Sequence, residues 1–154
     1  YMAERRQTGK RRPPDREPVL RQTWLDVIAT VEPKTLFIGG KSMGGRIASL
    51  IADEAKVAGL ICLGYPFHPT GKPDQLRVEH LQTIKTPTLI LQGERDPFSA
   101  EEVRGYALSR QARVHWLPDG DHSFKPRSSS RWTQDENWHD AISVIVEFVK
   151  RRAR

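Results

Sequence analysis

Cysteine is nearly missing from this chain: Cys62 is the only one in 154 residues. That excludes an intrachain disulfide and fits a reducing compartment, so a cytoplasmic location is expected. Its place in the apolar run Leu60-Ile61-Cys62-Leu63 reads as a small buried hydrophobe rather than a reactive thiol. Long hydrophobic runs are also lacking, which excludes a membrane-spanning helix. No signal peptide is visible, but the chain starts at Tyr1 and that absence carries little weight. Apolar residues make up only 37%, still enough for the core of one domain spanning 1–154. Acidic residues are outnumbered 19 to 25, for a net charge of +6. The first 21 residues hold seven basic and three acidic side chains, and Lys150, Arg151, Arg152 and Arg154 close the chain. Without interleaved aromatics or a nucleic-acid motif, these runs read as solvated ends, and nucleic acid is not the expected partner.

Glycine, by contrast, is concentrated where it carries information. Gly40-Lys41-Ser42-Met43-Gly44 follows the apolar run Thr35-Leu36-Phe37-Ile38-Gly39 and opens a helical pattern. This strand, tight turn and helix sequence is the context of a nucleophile elbow, in which a strained serine is lifted above the end of a sheet. The pattern by itself turns up in roughly one shuffled chain in twenty, so context must decide. A phosphate-binding loop is a rival reading of Gly40-Lys41-Ser42. It needs a glycine five residues before Gly40, and Thr35 stands there, inside the expected strand.

Periodicity supplies the context. Residues 1–18 are polar and proline-rich and read as loop. Pro18 is suited to the first turn of a helix covering 19–31, with Leu20, Trp24, Val27, Ile28 and Val31 on one face. Strands are expected at 35–39, 57–63, 87–91 and 113–117. Helices are expected at 44–55, 74–84, 99–108 and 134–152, the last presenting Trp138, Ala141, Ile142, Ile145, Phe148 and Val149 together. No internal repeat is evident. Alternating strands and helices imply right-handed crossovers and a parallel sheet flanked by helices, an α/β fold.

In such a sheet every strand points its C-terminal end to one edge, where ligands bind. Ser42, Asp96 and His122 each follow a strand at that edge. A serine hydroxyl needs a base, here His122, and the imidazole needs a carboxylate to fix its tautomer, here Asp96. Glu94, Asp119 and Asp121 compete for the acidic role, but Asp121 adjoins His122 and suits a turn. His115, His139 and His80 fall in a strand and two helices, and read as surface or packing residues. The Met43 N–H, just after the nucleophile, is the expected oxyanion donor. Lys41, Tyr65, Phe67 and His68 are candidate pocket-lining residues, although a loop histidine such as His68 is ordinarily a surface residue. No cofactor or metal is called for, and the expected partner is a small-molecule acyl substrate.

Four separated motifs agree in order: Phe37-Ile38-Gly39-Gly40-Lys41-Ser42-Met43-Gly44-Gly45-Arg46, Leu63-Gly64-Tyr65-Pro66-Phe67-His68, Leu91-Gln92-Gly93-Glu94-Arg95-Asp96 and Gly120-Asp121-His122-Ser123-Phe124. Together they resemble bacterial α/β-hydrolases related to dienelactone hydrolase, a group shared with testis-expressed protein thirty and subunit three of the NSL chromatin complex. The resemblance implies an α/β-hydrolase fold with Ser42, Asp96 and His122 in the triad positions, and no particular substrate. Family members are longer at the N-terminus, so the chain is expected to lack N-terminal strands and the loop holding the second oxyanion donor. Such a loss typically costs about 2.7–4 kcal/mol of transition-state stabilisation. The leading expectation is a serine hydrolase for a small ester, thioester or amide, working through an acyl-enzyme. The alternative is a non-catalytic scaffold of the same fold that binds another protein.

Overall fold

A computed structural model describes residues 2–9, 13–98 and 101–152. Four strands, β1 (Phe37–Lys41), β2 (Gly59–Leu63), β3 (Thr88–Gly93) and β4 (Ala112–Leu117), form one parallel sheet in the order β1-β2-β3-β4. The register pairs Gly40 with Cys62, Cys62 with Ile90 and Ile90 with Val114. The strand ends that lead to the candidate residues therefore lie along one edge, with β2 between those that lead to Ser42 and Asp96. β3 is buried along its whole length, as its apolar run requires.

Helices α1 (Met2–Thr8), α2 (Glu17–Ile28), α3 (Met43–Ala55) and α4 (Gln134–Lys150) complete the described elements with three short 3₁₀ turns. One core cluster joins α2 and α3 to the sheet through Ile28, Ile51, Leu60, Cys62 and Ile90. The other joins α4 through Leu89, Leu91, Phe124, Ala141 and Phe148. Thr133 starts α4 with a reciprocal capping box: its hydroxyl accepts from the Glu136 N–H while the Glu136 carboxylate accepts from the Thr133 N–H.

Several expected boundaries move, each for a local reason. Residues 2–8 are helical, not loop. Helix α2 stops at Ile28 because the Thr30 and Val31 amides turn back to Val27 and Ile28 in three-residue steps. The first strand begins at Phe37, since Glu32 accepts from the Lys34 N–H and starts a 3₁₀ turn over Pro33–Thr35. Thr35 is therefore in that turn and not in the strand. The helix expected at 74–84 reduces to one turn, Glu79–Gln82, because the Arg77 amide donates across the loop to Phe67 O. The helix expected at 99–108 is a 3₁₀ turn, Glu101–Gly105, closed by Tyr106 N–H to Val103 O; residues 99 and 100 lie outside the described residues. On α4, Ala141 and Phe148 are buried, whereas Ile142 and Trp138 are exposed, the indole meeting Phe124 edge to face. Val27 and Val31, expected on the packed face after Pro18, are exposed as well.

Asp53, near the end of α3, fastens that helix to the entry of β3. Its carboxylate accepts from the Lys85 N–H, the Thr86 N–H at 2.7 Å and the Thr86 hydroxyl at 2.7 Å. Partial burial works against the charged form, but these donors outweigh it and hold the acid below its ordinary range. A depressed folded-state value means stabilisation that is present above the unfolded-state value and is lost as pH falls through the folded one. Asp53→Asn is expected to lower stability at neutral pH in urea denaturation. Its deficit against wild type should shrink in acid, below the ordinary carboxylate range. A deficit that stays constant with pH would contradict this account.

Candidate active site

The turn after β1 has the geometry of an elbow. Ser42 lies at φ 52° and ψ −121°, a conformation that side-chain-bearing residues seldom adopt. What holds it there is the close crossing of β1 and α3. A Cβ on Gly40 would come within 2.8 Å of Gly44 C, and one on Gly45 within 2.5 Å of Gly40 O. The Ser42 N–H donates to Leu63 O, seating the turn against the end of β2. Because α3 starts at Met43, the Met43 N–H belongs to the first-turn amides that have no intrahelical acceptor.

Asp96 and His122 meet. The imidazole Nδ1 donates to Asp96 Oδ2 at 2.8 Å, with the carboxylate fully buried and the imidazole partly open. Gln92 Nε2 donates to the same oxygen at 2.7 Å, and the Phe98 N–H donates to Oδ1 at 3.0 Å. A buried carboxylate demands such donors, because an unpaired charge there costs several kcal/mol. With Nδ1 engaged, Nε2 is the nitrogen left to exchange a proton. The imidazole also lies against the Phe98 ring, at 4.7 Å between centroids.

The competing carboxylates are engaged elsewhere. Glu94 accepts from the Asp119 N–H, Asp119 binds Arg127 at 2.7 Å, and Asp121 accepts from the Ser123 and Lys125 amides in a tight turn. His115 pairs with Asp140, His139 bonds Asp135 O in its own helix, and His80 bonds Ser49 under the core.

Two connections link the Ser42 turn to this pair. A Cβ on Gly64, the residue after the Leu63 that Ser42 bonds, would come within 3.1 Å of His122 Nδ1. Lys41, just before Ser42, donates from Nζ to His122 O. Among the described residues the Ser42 hydroxyl has no hydrogen-bond partner, His122 included.

The expected pocket wall is different in kind. Tyr65 and Phe67 are fully buried and pack edge to face at 4.8 Å, so both are core. His68 is buried rather than at the surface, its Nδ1 donating to Pro69 O. Their proline-rich loop folds inward because the Tyr65 N–H finds Gln92 Oε1 and its hydroxyl donates to Arg77 O. An open apolar groove of about 340 Å³ lies instead beside Met43, lined also by Leu20, Trp24, Val27 and Ile47. Cys62 is buried, its Sγ donating to Gly45 O at 3.5 Å, and burial pushes its thiol up to about 12 and leaves it inert.

Two residues important to the geometry were not singled out from the sequence. Gln92 joins the Tyr65 amide to the Asp96 carboxylate. Asn137 on α4 donates to Pro118 O and Phe124 O, tying down both ends of the His122 loop. The Gln that ends an apolar strand next to a charged exit loop was the available signal for the first; nothing local marks the second.

An elbow serine on a parallel sheet, with an aspartate–histidine pair on the following loops, defines an α/β-hydrolase fold. The chain belongs to that superfamily: the family model described as an alpha/beta hydrolase domain matches residues 1–150. Solved structures agree on the fold. The esterase domain of a Rhodothermus marinus protein is 16% identical, with a TM-score of 0.64, covering 91% of this chain and 70% of that one. The Paleococcus ferrophilus monoacylglycerol lipase is 12% identical, with a TM-score of 0.69, covering 91% and 77%. A serine hydrolase involved in carbazole degradation is 15% identical, with a TM-score of 0.66, covering 92% and 75%.

Close approach also fixes the distance between the two loops that carry Asp96 and His122. A Cβ on Gly93 would stand 2.3 Å from Asp121 O and 2.4 Å from Gly120 O. Gly93→Ala is expected to push the 120–122 backbone away and lengthen the Asp96–His122 bond. The His122 Nδ1–H should then exchange with solvent faster in proton NMR; an unchanged exchange rate would contradict the proposed contact.

Proposed function

We propose that this protein is a serine hydrolase that cleaves a small ester, thioester or amide. The observation that carries this reading is the 2.8 Å bond from His122 Nδ1 to the buried Asp96 carboxylate, taken with a serine in elbow geometry after β1. The superfamily membership, and esterase and lipase neighbours, support it.

Ser42 Oγ attacks the carbonyl carbon while its proton passes to His122 Nε2. Asp96 keeps the other ring proton on Nδ1 and stabilises the imidazolium that forms. Negative charge develops on the carbonyl oxygen, and the Met43 N–H, a first-turn amide of α3, receives it. Collapse of the tetrahedral species breaks the bond to the leaving group, which takes the proton from Nε2. Water, deprotonated by His122, then attacks the acyl-enzyme, releasing the acid and restoring Ser42. The groove beside Met43 would accept an apolar part of the substrate, and the single buried thiol supports a cytoplasmic setting.

A fluorophosphonate probe is expected to modify Ser42 and that residue alone, as read by peptide mass spectrometry. Ser42→Ala should abolish the modification; labelling that survives the change removes this reading. Asp96→Asn should preserve the fold and lower the turnover of an activated ester on the order of 10⁴-fold, the loss seen when a serine protease triad loses this carboxylate. Turnover within a few fold of wild type would exclude the role given to Asp96.

A further inference from the structure

Among the described residues three parts of the protein hold the loop that carries His122, and one of them is the strand that leads into Ser42. From β3's exit loop, the Arg95 N–H donates to Gly120 O and its guanidinium to Asp119 O. From α4, Asn137 holds Pro118 O and Phe124 O. From the end of β1, Lys41 Nζ donates to His122 O itself, 81 residues along the chain. The loop needs holding, because Asp119 and Phe124 both lie at positive φ, 51° and 66°, without being glycine.

We propose that Lys41 is a positioning residue that sets the distance between Ser42 and His122. This rests on the hydrolase reading above, and it gives Lys41 a defined part in that site rather than a place on a pocket wall. The geometry is specific. Lys41 and Ser42 are consecutive, so the amine is anchored to the nucleophile's own backbone. Its far end grips the carbonyl of the base, not of a neighbour. Among the described residues no other side-chain donor reaches His122 O.

The surroundings favour a fixed amine over a swinging one. Nζ stands 5.7 Å from the centroid of the buried Phe124 ring, a cation–π contact. Partial burial pulls its ionisation below the ordinary lysine range, and the Asp96 and Asp121 carboxylates push back. Although Lys41 is an exposed residue, its amine has two partners at the far end, an aromatic face and the His122 carbonyl. Small errors in the placement of a base are costly, because a misplacement of about 1 Å can lower a rate on the order of 10²-fold.

The test compares wild type, Lys41→Met and Lys41→Arg in the same chain. Two quantities are read: amide hydrogen exchange over 121–125, and the second-order rate of Ser42 modification by a fluorophosphonate. Lys41→Met is expected to melt like wild type, to exchange about tenfold faster over 121–125 only, and to label about tenfold or more slowly. Lys41→Arg, which keeps a donor and a charge, should restore most of both. Should Lys41→Met not fold, Lys41→Gln, with a shorter polar side chain, takes its place and is expected to show the same two changes. Exchange and labelling equal to wild type overturn the proposal and leave the hydrolase reading intact. Faster exchange without slower labelling overturns it as well. No labelling of wild type at Ser42 overturns the hydrolase reading, and the role of Lys41 with it.

Discussion

A carboxylate with no exposed side-chain surface is the constraint around which this site is organised. A carboxylate out of water needs donors around it, and among the described residues three surround Asp96: Gln92 Nε2, the Phe98 N–H and His122 Nδ1. Each donor comes from a different place, the end of β3, its exit loop and the loop after β4. Meeting the demand of one acid therefore fixes the relative position of three segments. It also fixes the imidazole, because Nδ1 cannot turn away without leaving the carboxylate short of a partner.

The sheet makes that convergence possible. Parallel strands deliver Ser42, Asp96 and His122 to one edge, and the register keeps adjacent strand ends level. Glycines then let backbones approach where a Cβ would collide, between β1 and α3 and between β3 and the His122 loop. The strain at Ser42 is held by the Leu63 carbonyl and the first turn of α3, so stability elsewhere in the fold supports an unfavourable conformation at the site.

Much of this was legible in the sequence, for physical reasons. The elbow announces itself because only glycine tolerates the crossing of β1 and α3. The four strands are apolar runs between turn residues, and Asp96 and His122 follow two of them. Other features depend on partners that no local pattern reveals. Gln92 reads as the polar end of a strand until its amide is seen between Tyr65 and Asp96. Asn137 reads as one polar position on an amphipathic helix, yet it is buried and tethers the His122 loop. Tyr65 and Phe67 resemble a pocket wall because they follow a strand, but the loop folds in and seals them in the core. The helix expected at 74–84 shrinks to one turn, with the Arg77 amide bonded across the loop to Phe67 O, and the described part of 99–108 is a 3₁₀ turn.

The central claim is that Asp96 holds the proton of His122 on Nδ1 and leaves Nε2 free to accept one from Ser42. Nitrogen-15 NMR of the neutral histidine ring reads that directly. The account predicts the proton on Nδ1 and an unprotonated Nε2, with the tautomer scrambled when Asp96 is replaced by Ala. A resting ring with its proton on Nε2 would contradict it.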